Sequence, residues 1–324
     1  MNKLIAIIAG EPNSISSEII FKSWLSRKKF IHKSFFIIGS IYLLNLQKKK
    51  LNIKFKIKKI TNNFEMKDLK GNELPVYNVD YKQKKAFEKI SNKSNKYIFE
   101  CFDIALDLVK RKKIIGFINC PISKETLFKK KYQGVTEYLS KKENKKSKEV
   151  MLIFNKNLSV SPLTTHIPLK KVSNNINKNR IVENVRIINK FYKKFFNKKP
   201  YFAILGLNPH NFSNLKKSEE KEIINKAILK LKKTKIKVSG PVPADTSFMI
   251  VNKFKFDVIV GMYHDQVLSP FKALYNYDAI NITLGLPYIR ISPDHGVAKN
   301  ITGKLVANPK SLIESIRFFN IIKN

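Results

Sequence analysis

The sequence predicts an α/β protein on two observations. Short apolar runs rich in Ile, Val and Phe alternate with longer stretches whose apolar residues recur at helical spacing. The chain has 324 residues, of which 43% are hydrophobic, so it can bury a sizeable core and divide into two domains or lobes. An internal repeat and a clear Gly, Ser or Pro linker are both absent from the sequence.

The predicted strands are short apolar runs in which β-branched and aromatic residues are frequent. In chain order they lie at 3–10, 35–40, 113–121, 150–155, 158–166, 201–209, 256–264 and 279–287.

Helical period is clearest in two of the intervening stretches. Segment 179–196 is predicted to be an amphipathic helix, because Ile181, Val185, Ile188, Tyr192 and Phe195 fall on one stripe. Segment 218–233 begins with Ser218, a residue type that caps helices, and acidic residues follow near the positive end of the helix. Cys101 shares a helical face with Ile104 and Leu108, which predicts a core position rather than a disulfide.

Charge and hydropathy limit the possible partners. Lys and Arg number 63 against 24 Asp and Glu, a formal net charge of +39, which by itself is typical of proteins that bind nucleic acid or anionic surfaces. The lysines are dispersed over the whole chain, however, and no zinc-finger spacing, RNP-type segment or Arg-rich arm accompanies them. A solvated lysine surface without specific nucleic-acid binding is therefore predicted. No run approaches the roughly 20 apolar residues of a membrane span, so a cytoplasmic protein is expected.

Histidine occurs five times, and three of these residues immediately follow predicted strands. They are His166 in "SPLTTHIPLK", His210 in "LGLNPHNF" and His264 in "GMYHDQVLSP". The carboxyl ends of strands in an open α/β sheet are where ligands bind. Imidazole suits divalent transition metals, and three protein ligands with an open position are typical of a catalytic site. The pattern therefore predicts a three-histidine metal site, whereas His32 matches no motif and is read as surface or structural.

Several motifs in chain order resemble the 4-hydroxythreonine-4-phosphate dehydrogenase family of pyridoxal phosphate biosynthesis. They are "TTHIPL", "GLNPH", "GPVPADTSF", "YHDQ" and "NITLGLPYIRISPDHGVA", within a similarity that runs from "AGEPNSISSE" to "ITGKLVANP". The resemblance implies an isopropylmalate dehydrogenase-like fold of two α/β/α domains around a cleft. We place the first domain, with the nucleotide-binding segment, at 1–125 plus 245–324. The second domain, with metal ligands and dimer contacts, is placed at 126–244.

The activity implied by the resemblance is oxidative decarboxylation of 4-phosphooxy-L-threonine to 3-amino-2-oxopropyl phosphate. The implied cofactors are NAD and one divalent ion, Zn, Mg or Co. A homodimer with its active site at the subunit interface is also implied. The family's metal ligands correspond to the same three residues that the strand ends indicate, His166, His210 and His264.

Further site residues come from the resemblance alone. The substrate-binding positions correspond to Val135, Thr136, Lys272, Asn281 and Arg290. The segment "DHGVAKNITGKLVANP" resembles the part of isopropylmalate dehydrogenase relatives that holds the adenine end of the dinucleotide. It makes His295, Gly296, Ala298 and Asn308 candidates for NAD contact. No G-x-G-x-x-G is present, which argues against an ordinary Rossmann domain.

The catalytic base is left open among Lys272, Asp245 and a metal-bound hydroxide. Asp245 and Asp265 are each candidates either to orient a metal-bound imidazole or to cap a helix or turn.

Departures from the family pattern leave alternatives for the function. Val135 stands where the family has a histidine, Cys120 stands in place of a glycine, and "NFSNLKKSEE" replaces a glycine-rich continuation after "GLNPH". The alternative enzyme is a threonate or erythronate phosphate dehydrogenase. The alternative from another class is a basic nucleic-acid-binding protein on a retired enzyme scaffold, which the retained histidines disfavour.

Overall fold

A computed structural model describes residues 4–30, 35–129, 131–132, 134–143, 149–212, 217–276 and 278–322. The chain divides into two units, Met1–Leu139 with Leu286–Ile321 and Ser140–Gly285 with Ile322–Asn324. Each unit is an α/β structure with its own set of strands. The predicted α/β class is confirmed.

The strands of the described residues are short and mostly buried. They are β1 (Ile5–Ile8), β2 (Phe35–Gly39), β3 (Ile57–Ile60), β4 (Leu74–Asn78), β5 (Gly116–Asn119), β6 (Val150–Phe154), β7 (Ser159–Thr164), β8 (Phe202–Leu205), β9 (Val238–Val242), β10 (Val258–Tyr263), β11 (Ile280–Leu284) and β12 (Ile289–Pro293).

The α-helices alternate with these strands along most of the chain. They are α1 (Ser16–Ser26), α2 (Ile41–Lys50), α3 (Asn95–Lys110), α4 (Lys124–Phe128), α5 (Val135–Lys142), α6 (Lys178–Phe196), α7 (Asn225–Lys233), α8 (Ala244–Ser247), α9 (Val251–Phe254), α10 (His264–Tyr275) and α11 (Lys310–Ile321).

In the first unit the strand order is β3-β4-β2-β1-β5-β12, and every pair is parallel. All four residues of β1 are buried, so both of its faces are covered, as expected for a parallel strand in an α/β protein. The order reverses at β1, which has β2 on one side and β5 on the other. Such a reversal is the usual position of a ligand site in this class of fold.

In the second unit the strand order is β11-β6-β7-β10-β8-β9. β6 pairs antiparallel with both β11 and β7, whereas β7, β10, β8 and β9 are parallel neighbours. The carboxyl ends of these four strands therefore lie at one edge of the unit, and β10 stands between β7 and β8.

The predicted domain boundaries differ from this division. Residues 126–139 belong to the first unit, and residues 245–285 belong to the second. The physical reason for the second difference is strand pairing, because β10 joins β7 and β8 while β11 joins β6. His264 consequently lies in the same unit as His166 and His210.

All eight predicted strands are present, as β1, β2, β5, β6, β7, β8, β10 and β11. The helix predicted at 179–196 is α6, and its stripe residues Ile181, Val185, Ile188 and Tyr192 are buried. The segment predicted at 218–233 is helical, but its start, Glu220–Ile224, has π-helical hydrogen bonding before α7 begins. Ser218 caps it, since its Oγ accepts from the backbone N of Lys221 at 3.3 Å.

The core position predicted for Cys101 is confirmed. Its side chain is fully buried within α3, in an apolar cluster with Ile98, Phe102 and Phe117. Among the described helices, none combines the length and the apolar character that crossing a membrane requires.

Candidate active site

The three histidines predicted as metal ligands follow three neighbouring parallel strands. His166 lies two residues beyond the end of β7, His210 lies beyond β8 in a short 3-10 segment (Pro209–Phe212), and His264 immediately follows β10. Because β7, β10 and β8 are parallel and adjacent, their carboxyl ends share one edge of the second unit. The three histidines therefore follow strands that end at the same edge of the second unit.

Two of these histidines are close to each other. The ring centroids of His166 and His264 are 6.2 Å apart. Nδ1 of His264 is 2.6 Å from Oδ1 of Asp265, so the Nε2 atom of the same ring is the one available to a metal. Asp265 thus orients the imidazole, which was one of its two candidate roles.

The third histidine does not complete a closed site in this arrangement. In the described residues, no three His, Cys, Asp or Glu side chains converge closely enough to hold a metal ion. His210 and its neighbour Asn211 both have left-handed backbone conformations, with φ of 50° and 59°. Non-glycine residues adopt this region rarely, and such conformations cluster at functional sites.

The residues present suit a divalent ion in their chemistry. Two imidazoles on one ion, with metal–nitrogen distances of about 2.0–2.1 Å, place their ring centroids about 4.5–5.5 Å apart. The observed 6.2 Å between His166 and His264 is somewhat longer than that range. The carboxylate on Nδ1 of His264 is the support that metal-bound histidines usually have.

Three further predicted site residues lie in the second unit, although the predicted boundaries placed them in the nucleotide-binding domain. Lys272 is exposed and lies in α10, two turns after His264, and Asn281 is half-buried in β11. Asp245 is exposed in α8, where its Oδ1 accepts from the backbone N of Thr246 at 2.9 Å. Asp245 is the second residue of α8 and binds the next residue along, so this bond is not a helix cap.

Arg290 is the central charged residue of the first unit. It lies in β12, is 4% exposed, and donates from Nε to Oδ1 of Asn119 at 2.7 Å and from Nη1 to Oγ1 of Thr136 at 3.4 Å. Burial lowers the pKa of Arg290 to about 10, which leaves it charged at neutral pH. A buried guanidinium held by neutral acceptors is suited to a phosphate or carboxylate.

Lys124 and Glu137 lie close enough to Arg290 to interact with it electrostatically. The pKa of Lys124 is lowered, mainly by burial. The carboxylate of Glu137 acts to raise this pKa, and the guanidinium of Arg290 acts to lower it. Gly134 leaves room for this group, because a Cβ there would lie 3.1 Å from Oε2 of Glu137 and 3.8 Å from Nζ of Lys124. Two cations and one carboxylate therefore share this part of the unit. The partner Asn119 was missed, because it is 171 residues from Arg290 in the chain and no motif marks it.

Val135 and Thr136 differ in what their side chains contact. Val135 is 4% exposed and packs in the apolar cluster with Phe128 and Tyr138, whereas Thr136 is half-buried and reaches Arg290. The packing gives no support to a substrate contact by the Val135 side chain. Thr136 remains a candidate.

We expect Thr136→Ala to lower kcat/KM by roughly tenfold, about 1.4 kcal/mol, because Arg290 loses an orienting acceptor. Val135→His should instead reduce stability by about 1–3 kcal/mol, since the imidazole would be buried in an apolar cluster. Steady-state kinetics at saturating NAD and thermal unfolding of both variants provide the measurements. Parent-like kinetics for Thr136→Ala would mean that this loop does not act on the substrate.

The predicted nucleotide segment follows β12 in the first unit. The half-buried ring of His295 lies near the backbone of Asn308; burial lowers the pKa of His295, while Asp294 and Asn308 act to raise it. Gly296 is exposed with open space where a Cβ would lie, and Ala298 is left-handed with φ of 47°. The structure thus brings the two ends of the candidate segment together and leaves the backbone at Gly296 accessible.

An ion pair between the buried Glu18 and the half-buried Lys22, which the sequence did not reveal, holds this segment to α1. Oε1 of Glu18 accepts from the backbone N of Ala307 at 2.6 Å and from Nζ of Lys22 at 2.8 Å. Lys22 also donates to the carbonyls of Leu305 and Ala307, at 2.9 and 2.8 Å. The i, i+4 spacing of Glu18 and Lys22 is the only signal in the sequence, and it does not reveal the distant partner.

His32 and Cys120 are the two remaining residues that the sequence singled out. His32, read as surface or structural, lies outside the described residues. Cys120, which replaces a glycine of the family pattern, is fully buried after β5, and burial raises the pKa of its thiol. A thiol of this kind is unreactive at neutral pH.

Comparisons with known proteins find similar dehydrogenases over nearly the whole chain. The chain is 38% identical over 324 residues to a 4-hydroxythreonine-4-phosphate dehydrogenase of Sulfurihydrogenibium sp. (strain YO3AOP1), a match that covers 98% of both chains. It is 32% identical to a protein of Oceanobacillus iheyensis named "Putative D-threonate 4-phosphate dehydrogenase", over 97% of this chain and 96% of that one. A crystal structure of a 4-hydroxythreonine-4-phosphate dehydrogenase from Burkholderia phymatum superposes with a TM-score of 0.83 at 26% identity, covering 100% of this chain and 99% of the other.

A family model also matches most of the chain. Residues 32–319 match the model described as pyridoxal phosphate biosynthetic protein PdxA, which is most of the chain. Because this match and the 38% identity to a full-length relative agree, the chain belongs to the PdxA family of pyridoxal phosphate biosynthetic proteins and is a dehydrogenase of that family.

Proposed function

We propose that the protein catalyses the NAD-dependent, metal-dependent oxidative decarboxylation of 4-phosphooxy-L-threonine to 3-amino-2-oxopropyl phosphate. The observation that carries the proposal is the placement of His166, His210 and His264 at the carboxyl edge of three adjacent parallel strands. The names of relatives such as the Sulfurihydrogenibium enzyme support the substrate. Zn, Mg or Co is the proposed ion, held by these histidines.

The first unit supplies the anion recognition in this proposal. Arg290, fixed by Asn119 and Thr136, binds the phosphate or carboxylate of the substrate. Lys124 adds a second positive charge beside it. In the second unit Asn281 and Lys272 are the proposed substrate contacts.

The reaction itself requires that a proton, a hydride and CO2 leave the substrate, and that the carbon which carried the carboxylate then takes up a proton. When bound, the divalent ion would supply positive charge for the oxygen on which negative charge develops, and NAD would accept the hydride. Among the protein's own groups, Lys272 or Asp245 takes the hydroxyl proton. Asp265 holds the ring of His264 in one orientation through the 2.6 Å contact at Nδ1. His295, Gly296, Ala298 and Asn308 bind the nucleotide, and the Glu18–Lys22 pair anchors their segment.

A second candidate substrate has its own support. The Oceanobacillus relative is named for D-threonate 4-phosphate, which lacks the amino group but keeps the phosphate, the hydroxyl and the carboxylate. Val135, in place of the family's histidine, is buried in an apolar cluster and gives no polar contact that separates the two substrates. Oxidation of a four-carbon acid-sugar phosphate is therefore the alternative function.

NADH formation distinguishes these functions. The purified protein is assayed with 4-phosphooxy-L-threonine, threonate 4-phosphate and erythronate 4-phosphate, each with NAD and with NADP, with and without a chelator. We expect the highest kcat/KM with 4-phosphooxy-L-threonine and NAD, and loss of activity with the chelator. Preference for threonate phosphate would establish the alternative, and no turnover with any of the three would contradict both.

The remaining proposals concern the localisation of the protein, its oligomeric state and its binding to nucleic acid. A cytoplasmic homodimer is expected from the family resemblance. Family membership and the retained histidines favour an enzyme over a nucleic-acid-binding protein, so nucleic-acid binding should be weak and lost at high salt, as counterion release requires.

A further inference from the structure

A buried carboxylate lies at the base of the loop that carries His210. Glu220 is 2% exposed and begins the π-helical segment before α7. Its Oε1 accepts from the backbone N of Leu207 at 2.8 Å and of Asn208 at 2.9 Å, and both carboxylate oxygens contact Nδ2 of Asn208. One side chain thus binds two consecutive backbone N–H groups just before His210.

These bonds fix the turn in which His210 lies. The carbonyl of Asn208 accepts from the backbone N of Asn211 at 3.1 Å, which closes the turn around Pro209 and His210. Beyond His210, Nδ2 of Asn211 donates to the carbonyl of Pro241 at 2.9 Å. The left-handed conformations of His210 and Asn211 are therefore held from both sides of the turn.

Gln266 ties the same loop to the strand end that carries His264. Its Oε1 accepts from the backbone N of Met262 at 2.7 Å, and its Nε2 donates to the carbonyl of Gly206 at 2.8 Å. A side chain at Gly206 would displace the amide of Asn211 and lie 3.3 Å from Oε1 of Glu220, so glycine leaves room for both groups. The ends of β8 and β10 are thus connected by side-chain hydrogen bonds.

Glu220 binds this loop as a charged group. Burial acts to raise the pKa of Glu220, but the hydrogen bonds from Asn208 and Leu207 outweigh it and leave the pKa below its ordinary value. Hydrogen bonds to an ionised acceptor are shorter and stronger than neutral ones. Replacing the carboxylate by an amide therefore weakens the hold on residues 207–208 without changing the size of the side chain.

We propose that Glu220 is a positioning residue for the metal site, which acts by holding the His210 turn at the strand edge shared with His166 and His264. The inference rests on the proposed metal site. It assigns to Glu220 an effect on metal affinity that is transmitted through His210, although Glu220 is not itself a ligand.

The test compares Glu220→Gln with Glu222→Gln, alone and in a His210→Ala background. Glu222 is an exposed neighbour on the same segment that pairs with Lys226 at 2.7 Å, so it is a matched control. Each full-length protein, stripped of metal, is titrated with Co²⁺ while its d–d absorption is followed, and the thermal unfolding of the metal-free forms is recorded. Glu220→Asp, which keeps the charge but shortens the side chain, takes the place of Glu220→Gln in the comparison if Glu220→Gln does not fold.

We expect Glu220→Gln to raise the Kd for Co²⁺ by about tenfold or more, in the range typical of groups that orient metal ligands. Glu222→Gln should leave the Kd unchanged. In the His210→Ala background Glu220→Gln should have no further effect, because its effect passes through that residue.

An unchanged Kd in Glu220→Gln, or the same fold loss with and without His210, would overturn the inference while leaving the proposed function intact. Absence of Co²⁺ binding by the parent protein would overturn the proposed metal site and this inference together.

Discussion

His264→Ala is expected to abolish metal binding and turnover while leaving the fold intact. The imidazole of His264 is a proposed metal ligand whose ring centroid lies 6.2 Å from that of His166. Its Nδ1 is held by the carboxylate of Asp265. Removing the imidazole leaves at most two of the three proposed ligands, too few for a stable site. His166→Ala and His210→Ala should likewise lose turnover and the metal that survives dialysis, while the two histidines left in each keep a weak affinity that a Co²⁺ titration still measures. Bound metal is measured by atomic absorption after dialysis, and turnover by NADH formation.

Two further variants make this experiment specific. Asp265→Asn removes only the charge that orients the ring, so metal affinity should fall by about 10–100-fold without being lost. Leu274→Ala, at an exposed position of the same helix, is the control and should behave like the parent. Undiminished metal content and turnover in any of the three alanine variants would count against the histidine site.

Arg290→Lys is expected to lower kcat/KM for the phosphorylated substrate by about 100-fold. Lysine keeps the positive charge but lacks the planar fork that binds an anion through two parallel bonds. The loss corresponds to about 3 kcal/mol, the strength of one or two hydrogen bonds to a charged group. Most of it should appear as a higher KM for the substrate, with the KM for NAD little changed.

The control for this variant is Arg111→Lys. Arg111 is an exposed arginine in the same unit, paired with Asp107, and its replacement should leave the kinetics unchanged. Thermal unfolding of both variants separates loss of binding from loss of structure. If Arg290→Lys retains the parental kcat/KM, Arg290 does not bind the anionic end of the substrate.

Four strands, β3, β4, β9 and β12, were not predicted, because each contains residues that interrupt an apolar run. β3 and β9 are the edge strands of their units; β3 contains Lys58 and Lys59, and β9 contains Gly240 and Pro241. Edge strands tolerate lysine, proline and glycine, which hide the apolar pattern. β4 contains Pro75, and β12 contains the buried Arg290, so neither has a continuous apolar run. The buried strands without such residues were all predictable.

The predictable part of the candidate site is its set of histidines, because each of them follows a strand. Histidines after strands are visible in the sequence, and parallel pairing brings His166, His210 and His264 to one edge. The supporting groups were not visible, because Glu220 and Glu18 each bind backbone atoms that are distant in sequence. Backbone groups carry no sequence signal, so such partners emerge only from the folded chain.

Coupled oxidation and decarboxylation is the defining property of the proposed reaction. 4-Phosphooxy-L-threonine labelled with ¹³C at its carboxylate is incubated with the protein, NAD and a divalent ion, and released ¹³CO2 and NADH are measured together. We expect one CO2 for each NADH, with both lost when a chelator removes the metal and both lost in His264→Ala. NADH formation that continues without CO2 release, or that is indifferent to the chelator, would contradict the proposed reaction.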